Sequence, residues 1–145
     1  MKIDTKYFGS IDIDSQKVLR FPETIPGFDT KNYALIPFFP DDDSLLCLQS
    51  IEDPELAFAL INPFYVDTDY EPRLTDDDLN TLASDKDTPL AFYAIAVIRE
   101  NFKDTTVNLK CPIAVNPDKR LGKQVVMEDD RYSMHAPISP AGKEG

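Results

Sequence analysis

The segment 45-LLCLQSIEDPELAFALINPF-64 decides how the rest of the chain is read. Leu45, Leu46, Cys47 and Leu48 make one apolar run, and Ala57, Phe58, Ala59, Leu60 and Ile61 make a second. Glu52-Asp53-Pro54-Glu55 lies between them, polar and interrupted by a proline. Each run is too short for a lone helix and too continuous for a strand with one wet face. Two strands of a hairpin, buried on both faces at the centre of a sheet, account for both properties. Pro54 has no N–H to give a ladder, so it belongs in the connection. Asn62-Pro63 ends the second strand. A helix-turn reading competes, but it leaves residues 56–61 with fewer than two turns.

Toward the N-terminus the pattern alternates. Ile3, Thr5 and Tyr7 share one face, and Ile11 and Ile13 resume the period after Gly9-Ser10, which predicts a strand, a tight turn and a second strand. Residues 17–21 predict a third short strand. Ile25-Pro26-Gly27-Phe28 reads as a turn, with proline presetting one backbone angle and glycine supplying a positive one. Residues 32–39 predict a strand ending at Pro40, and Asp41-Asp42-Asp43 a solvent-facing loop of like charges.

Toward the C-terminus, Phe64-Tyr65-Val66 reads as a short strand or an exposed aromatic ledge. Residues 75–83 predict the main helix: Thr75 can cap it, and Asp76, Asp77 and Asp78 fall where the helix dipole favours negative charge. Residues 90–98 predict a doubly buried strand. Residues 105–115 predict another, with Pro112 marking an edge or a bulge. Gly122 helps to close the turn begun by Asn116-Pro117-Asp118, and residues 123–127 form the last strand. Residues 135–145 lack periodicity and read as a flexible tail. The chain is therefore expected to be mainly β: one domain over residues 1–134, a mostly antiparallel barrel or sandwich with one short helix near 75–83.

The 145 residues suffice for one domain with a real core. The formal net charge is −11. Such a surface repels nucleic acid and anionic membranes and favours basic protein partners or simple solubility. No apolar run reaches the roughly 18 residues of a membrane span, and no leader-like apolar stretch follows Met1, so a cytoplasmic location is expected. Cys47 and Cys111 are expected to be reduced and buried in apolar strands.

Little in the sequence asks for catalysis. His135 is the only histidine and lies in the predicted tail. The two cysteines do not have a metal spacing. Asp76-Asp77-Asp78 lacks the alternating ligands and distal glutamate of a calcium loop. No phosphate-cradling glycine loop appears. A binding protein without cofactor or metal is the expectation, and not an enzyme. Phe64, Tyr65 and Tyr70 beside Asp67, Asp69 and Glu71 make one candidate protein-binding patch, to which Asn62 is added. Arg131 and Tyr132 make a second. Core packing of the same aromatics under a solvated acidic loop competes with both.

The chain also resembles the flagellar assembly factor family FliW. Leu48-Gln49-Ser50, Asp53-Pro54-Glu55-Leu56-Ala57-Phe58 and Asn62-Pro63-Phe64 match its signature. Tyr7-Phe8-Gly9, Phe21-Pro22-Glu23 and Ile25-Pro26-Gly27-Phe28 are similar to its opening. Asn108-Leu109-Lys110-Cys111-Pro112-Ile113 is similar to its later motif, with Cys111 where alanine is usual. Gly122-Lys123-Gln124-Val125 and Arg131-Tyr132-Ser133 close the pattern. The resemblance implies two partners, flagellin and the RNA-binding translational regulator CsrA. Binding CsrA would lift its repression of flagellin messenger RNA, and free flagellin would release CsrA again, by an antagonism that is allosteric in the family. An acidic factor meeting a basic RNA-binding protein is electrostatically sensible. No direct contact with nucleic acid or membrane is expected. A general cytoplasmic chaperone for an exported flagellar protein, and a small acidic enzyme with an unrecognised carboxylate site, are the alternatives.

Overall fold

In the computed structural model, which describes residues 1–138, the central segment is the hairpin that its pattern predicts. Strand β5 (Asp42–Ser50) pairs antiparallel with β6 (Ala57–Ile61), with Cys47 opposite Ala59 and Leu48 opposite Phe58. Before them come β1 (Lys2–Asp4), β2 (Ser10–Asp12), β3 (Leu19–Arg20) and β4 (Asn32–Phe39). After them come α1 (Pro63–Val66), α2 (Asp76–Thr81), β7 (Ala91–Val97), β8 (Thr106–Val107), β9 (Ile113–Asn116), β10 (Leu121–Gln124) and β11 (Ala136–Pro137). Strands β7, β6, β5, β4, β3, β10 and β9 follow one another around a sheet, and β9 pairs back onto β7. The result is a closed barrel of seven strands, antiparallel throughout except where β3 runs parallel to β10. Strands β8 and β11 extend it beside β7, and β1 and β2 form a separate hairpin.

Closure explains why the central runs are apolar without interruption. Alternate residues point inward, and Tyr33, Leu46, Leu48, Leu60, Ile113 and Val115 pack there with Phe21. The intervening residues Leu45, Ala59 and Ile61 face outward, yet they pack in a second cluster with Tyr70, Leu109, Met127 and Tyr132. A third cluster sets Leu82, just after α2, against Ala114 and Val125. Strand residues beneath a covering layer lose their wet face and with it the polar alternation.

Several boundaries differ from expectation. Asp41 is not in an open acidic loop: it takes φ 58° in a tight turn, and Asp42 and Asp43 already belong to β5. Residues 105–115 do not form one strand. Val107 opposes Ala96 and Ile113 opposes Tyr93, so the chain between them carries extra residues and bulges out as a loop. Cys111 sits in that loop, not in a strand. Beyond β10 the ladder changes partner: Val125 N–H donates to Pro112 O and Met127 N–H to Lys110 O. Residues 64–66 are one helical turn, because Asn62 caps it and Pro63 suits its first position. Thr75 and Asp78 form a capping box, but the helix covers only Asp76–Thr81. Gly122 lies within β10, where its role is steric. Residues 135–138 are not a free tail, since Ala136 opposes Val107 and Ile138 N–H donates to Thr105 O. The remainder of the expected tail, 139–145, lies outside the described residues.

Both cysteines are buried and unpaired. Burial pushes the Cys47 thiol up to about 11, and burial also raises that of Cys111. Neither forms appreciable thiolate at neutral pH. Both thiols are expected to react with a thiol reagent only after unfolding, and Cys47→Ala or Cys111→Ala to cost about 1 kcal/mol while sparing partner binding. Rapid labelling of the folded protein would overturn this.

A candidate interaction ledge of aromatic and acidic residues

The two separate binding candidates of the sequence meet in space. Asn62 Oδ1 accepts from Phe64 N–H and starts α1. Asp67 then turns the chain, its N–H donating to Pro63 O and its carboxylate accepting from Asp69 N–H. The turn sends Tyr70 back into the protein, where its hydroxyl donates to Leu109 O at 2.7 Å. The Tyr70 ring lies 5.7 Å from that of Phe64 and 4.7 Å from that of Tyr132, both edge to face. The next backbone N–H, of Glu71, donates to the Tyr132 hydroxyl at 2.8 Å. Residues 62–71 and 131–132 thus form one aromatic ladder across the outer face of the barrel.

Exposure divides the ladder. Tyr65 is 65% exposed and Phe64 37%, so these two are the apolar surface a partner would meet. Tyr70 and Tyr132 are buried, and as presented aromatics they are a correction to the sequence reading. Burial raises the Tyr70 phenol well above its ordinary value, which keeps it a hydroxyl donor. A residue outside the predicted set, Asp129, fixes the cation. Its carboxylate takes Arg131 Nη2 at 2.7 Å and Nε at 2.9 Å, and the hydrogen bonds from Arg131 hold its pKa at about 2. Arg131 also lies 5.2 Å from the Tyr132 ring and 4.0 Å from Glu71. The hint in the sequence was local: Asp129 stands two residues before Arg131, within reach of its side chain.

The acidic stretch is likewise unequal. Asp69, Asp76 and Asp77 are exposed. Glu71 shares its carboxylate with Arg73 and Arg131. Asp78 is buried and bound to Lys123 at 2.7 Å. Burial alone would raise its carboxyl, but Lys123 and the Thr75 N–H and hydroxyl outweigh that and hold it below the usual carboxylate range. Asp78 is therefore a helix cap and ion-pair partner, outside the solvated acidic field.

Among the described residues, no group of three or more His, Cys, Asp or Glu side chains could hold a metal ion, and no helix is long and apolar enough to cross a membrane. A closed seven-strand barrel, with its candidate residues on an outer ledge and not in a deep cleft, defines the structural class. Comparison with known proteins then names the family. The family model described as FliW protein matches residues 2–138. A flagellar assembly factor FliW from Geobacillus sp. (strain WCH70) is 42% identical over 97% of this chain and 96% of that protein. One from Oceanobacillus iheyensis is 40% identical over 100% of this chain and 99% of that protein. A crystal structure of the flagellar assembly factor FliW superposes with a TM-score of 0.87 at 38% identity, covering 98% of this chain and 99% of that one. The chain belongs to the FliW family.

Proposed function

We propose that this chain binds flagellin and the translational regulator CsrA in the cytoplasm, and that flagellin displaces CsrA, so that flagellin synthesis follows filament assembly. It acts by binding alone, without cofactor, catalysis or direct contact with nucleic acid. The observation that carries the reading is the family match over residues 2–138, which includes every residue of the ledge. The ledge adds physical support. Phe64 and Tyr65 offer exposed aromatic anchors, and Asp69, Asp76 and Asp77 place negative charge nearby in sequence, on a chain of net charge −11. Such a field speeds the approach of a basic partner, while the aromatics slow its departure.

Linkage makes the proposal quantitative. If each partner weakens the other, both effects have the same factor. Flagellin titrated into a preformed complex with CsrA is expected to release CsrA. Reversing Asp69, Asp76 and Asp77 together to lysine is expected to slow CsrA association about tenfold and flatten its salt dependence. A stable ternary complex with unchanged affinities would sink the exchange. Recovery of flagellin but never CsrA would favour a general export chaperone, and turnover of a substrate would favour an enzyme.

A further inference from the structure

Inner side chains of the barrel reach the surface in a depression. Leu19 of β3, Leu35 of β4, Ala91 and Tyr93 of β7 and Val115 of β9 line a depression of about 430 Å³. These side chains belong to the inner core cluster or pack against it, so the floor of the depression is barrel interior. The volume falls in the range of small-molecule sites, roughly 300–1,000 Å³. Lys17 and Arg120 stand on its rim, and Arg20 and Lys119 line the adjoining depression, which shares Arg120. None of these four cations forms an ion pair among the described residues; the ion pairs there use Arg73, Lys123 and Arg131. Two acids lie close. Asp118 also lines the rim, and Asp43 acts on Tyr93.

The gathering is unusual for a chain of net charge −11. Three separate segments bring the cations together: the turn at Ser15–Lys17, strand β3, and the β9–β10 connection. Arg120 takes φ 55°, a backbone conformation that suits glycine, and yet carries a cation. Tyr93 adds a polar group, and burial raises its phenol so that it remains a donor.

We propose that this depression binds a small amphipathic carboxylate of medium chain length. Its tail lies on Leu19, Leu35, Ala91 and Val115, and its carboxylate sits between Lys17 and Arg120. A depression of this size holds a single tail, whereas a strand or helix needs a long groove. A guanidinium on the rim can bind a carboxylate through two parallel hydrogen bonds. An extended polyanion such as RNA would bring many charges against the overall negative field, so a single carboxylate fits better. None of the residues lining either depression belongs to the ledge.

The test is a titration of decanoate into the full-length protein, followed by amide chemical shifts and by calorimetry. Saturable shifts are expected at Leu19, Leu35, Tyr93 and Val115. Decanol, with the same tail and no charge, should bind about tenfold more weakly, as should decanoate to Lys17→Gln or Arg120→Gly, because each loses a charge-assisted contact. Arg120→Gly suits its backbone, so an unchanged unfolding midpoint confirms that the fold survives. Absence of saturable shifts at the depression, decanol binding equal to decanoate, or saturation centred on other residues would each overturn the proposal. Binding of an RNA oligonucleotide at the depression in preference to decanoate would overturn it in favour of a polyanion.

Discussion

Replacing Gln49 with alanine is expected to destabilise the fold by about 2–4 kcal/mol, from lost buried hydrogen bonds and the cavity left behind. The side chain is fully buried. Its Oε1 accepts from Lys6 N–H at 3.0 Å, joining the N-terminal segment to the barrel across 43 residues of sequence. Its Nε2 faces the carbonyls of Ser50, Pro54 and Leu56 at 3.0, 3.1 and 3.2 Å, inside the β5–β6 connection. Alanine removes all of these bonds from a fully buried position and leaves a cavity beneath the connection. Neighbours of Gln49 serve the same connection: Ser50 Oγ accepts from Asp53 N–H, and Asp53 Oδ1 from Glu55 N–H. Glu52 then accepts from Lys31 and Asn32 N–H. The motif Gln49-Ser50 to Asp53-Pro54 is thus a folding device, distinct from the ledge. Denaturation by urea measures the loss. Gln49→Glu separates size from chemistry, since it keeps the volume and turns a donor into a charged acceptor facing carbonyls. Its deficit relative to the native chain should grow as pH rises through the carboxyl pKa, which burial raises above the ordinary value of about 4.3. A native-like midpoint for both variants would show that the hydrogen bonds carry no net stability.

The second large effect centres on Phe21. The ring is fully buried and meets Tyr33 edge to face at 5.1 Å. Phe21→Ala should cost about 3–5 kcal/mol, as expected for emptying a packed core site. Gly122 of β10 is the counterpart: a Cβ added there would lie 2.5 Å from the Phe21 Cζ. The ring has Tyr33 on another side, so it has little room to yield. Gly122→Ala should therefore cost about 1–3 kcal/mol through overpacking, with no loss of backbone comfort to blame. Combining Gly122→Ala with Phe21→Leu, which vacates part of the ring's space, should cost less than the sum of the single changes by at least about 0.5 kcal/mol. Strict additivity in unfolding measurements would refute the steric account. Gly122 is thus required because β10 passes directly over the ring, and the turn at residues 117–120 closes without it.

The same contrast separates what could be read from the chain. Local chemistry set the elements. Apolar runs bounded by Pro40, Pro54 and Pro63 gave β4, β5 and β6. Thr75 followed by three aspartates gave α2 and its capping box. These signals are carried by a residue and its near neighbours, so they survive without the fold. The hairpin of residues 45–61 was legible for another reason: a run apolar at every position must be covered on both faces, whatever covers it.

What covers it was decided only by tertiary structure. The sequence allowed a barrel or a sandwich, and the β9–β7 pairing that closes the barrel joins residues as far apart as Ala91 and Val115. Nothing local encodes such a contact. The loop at residues 108–112 splits one predicted strand because its neighbours Ser133, Val125 and Met127 supply competing hydrogen bonds. The ledge shows the limit most clearly. Tyr65 and Tyr70 look alike in sequence, as do Asp77 and Asp78, yet one of each pair is exposed and the other buried. Tyr70 went inward because the Leu109 carbonyl and the Tyr132 ring were there to receive it, and Asp78 because Lys123 was. The sequence by itself determined which residues are apolar, which can cap, which cannot pair, and the net charge. The fold decided which face each residue shows, since burial of a polar or aromatic group depends on partners brought from elsewhere in the chain.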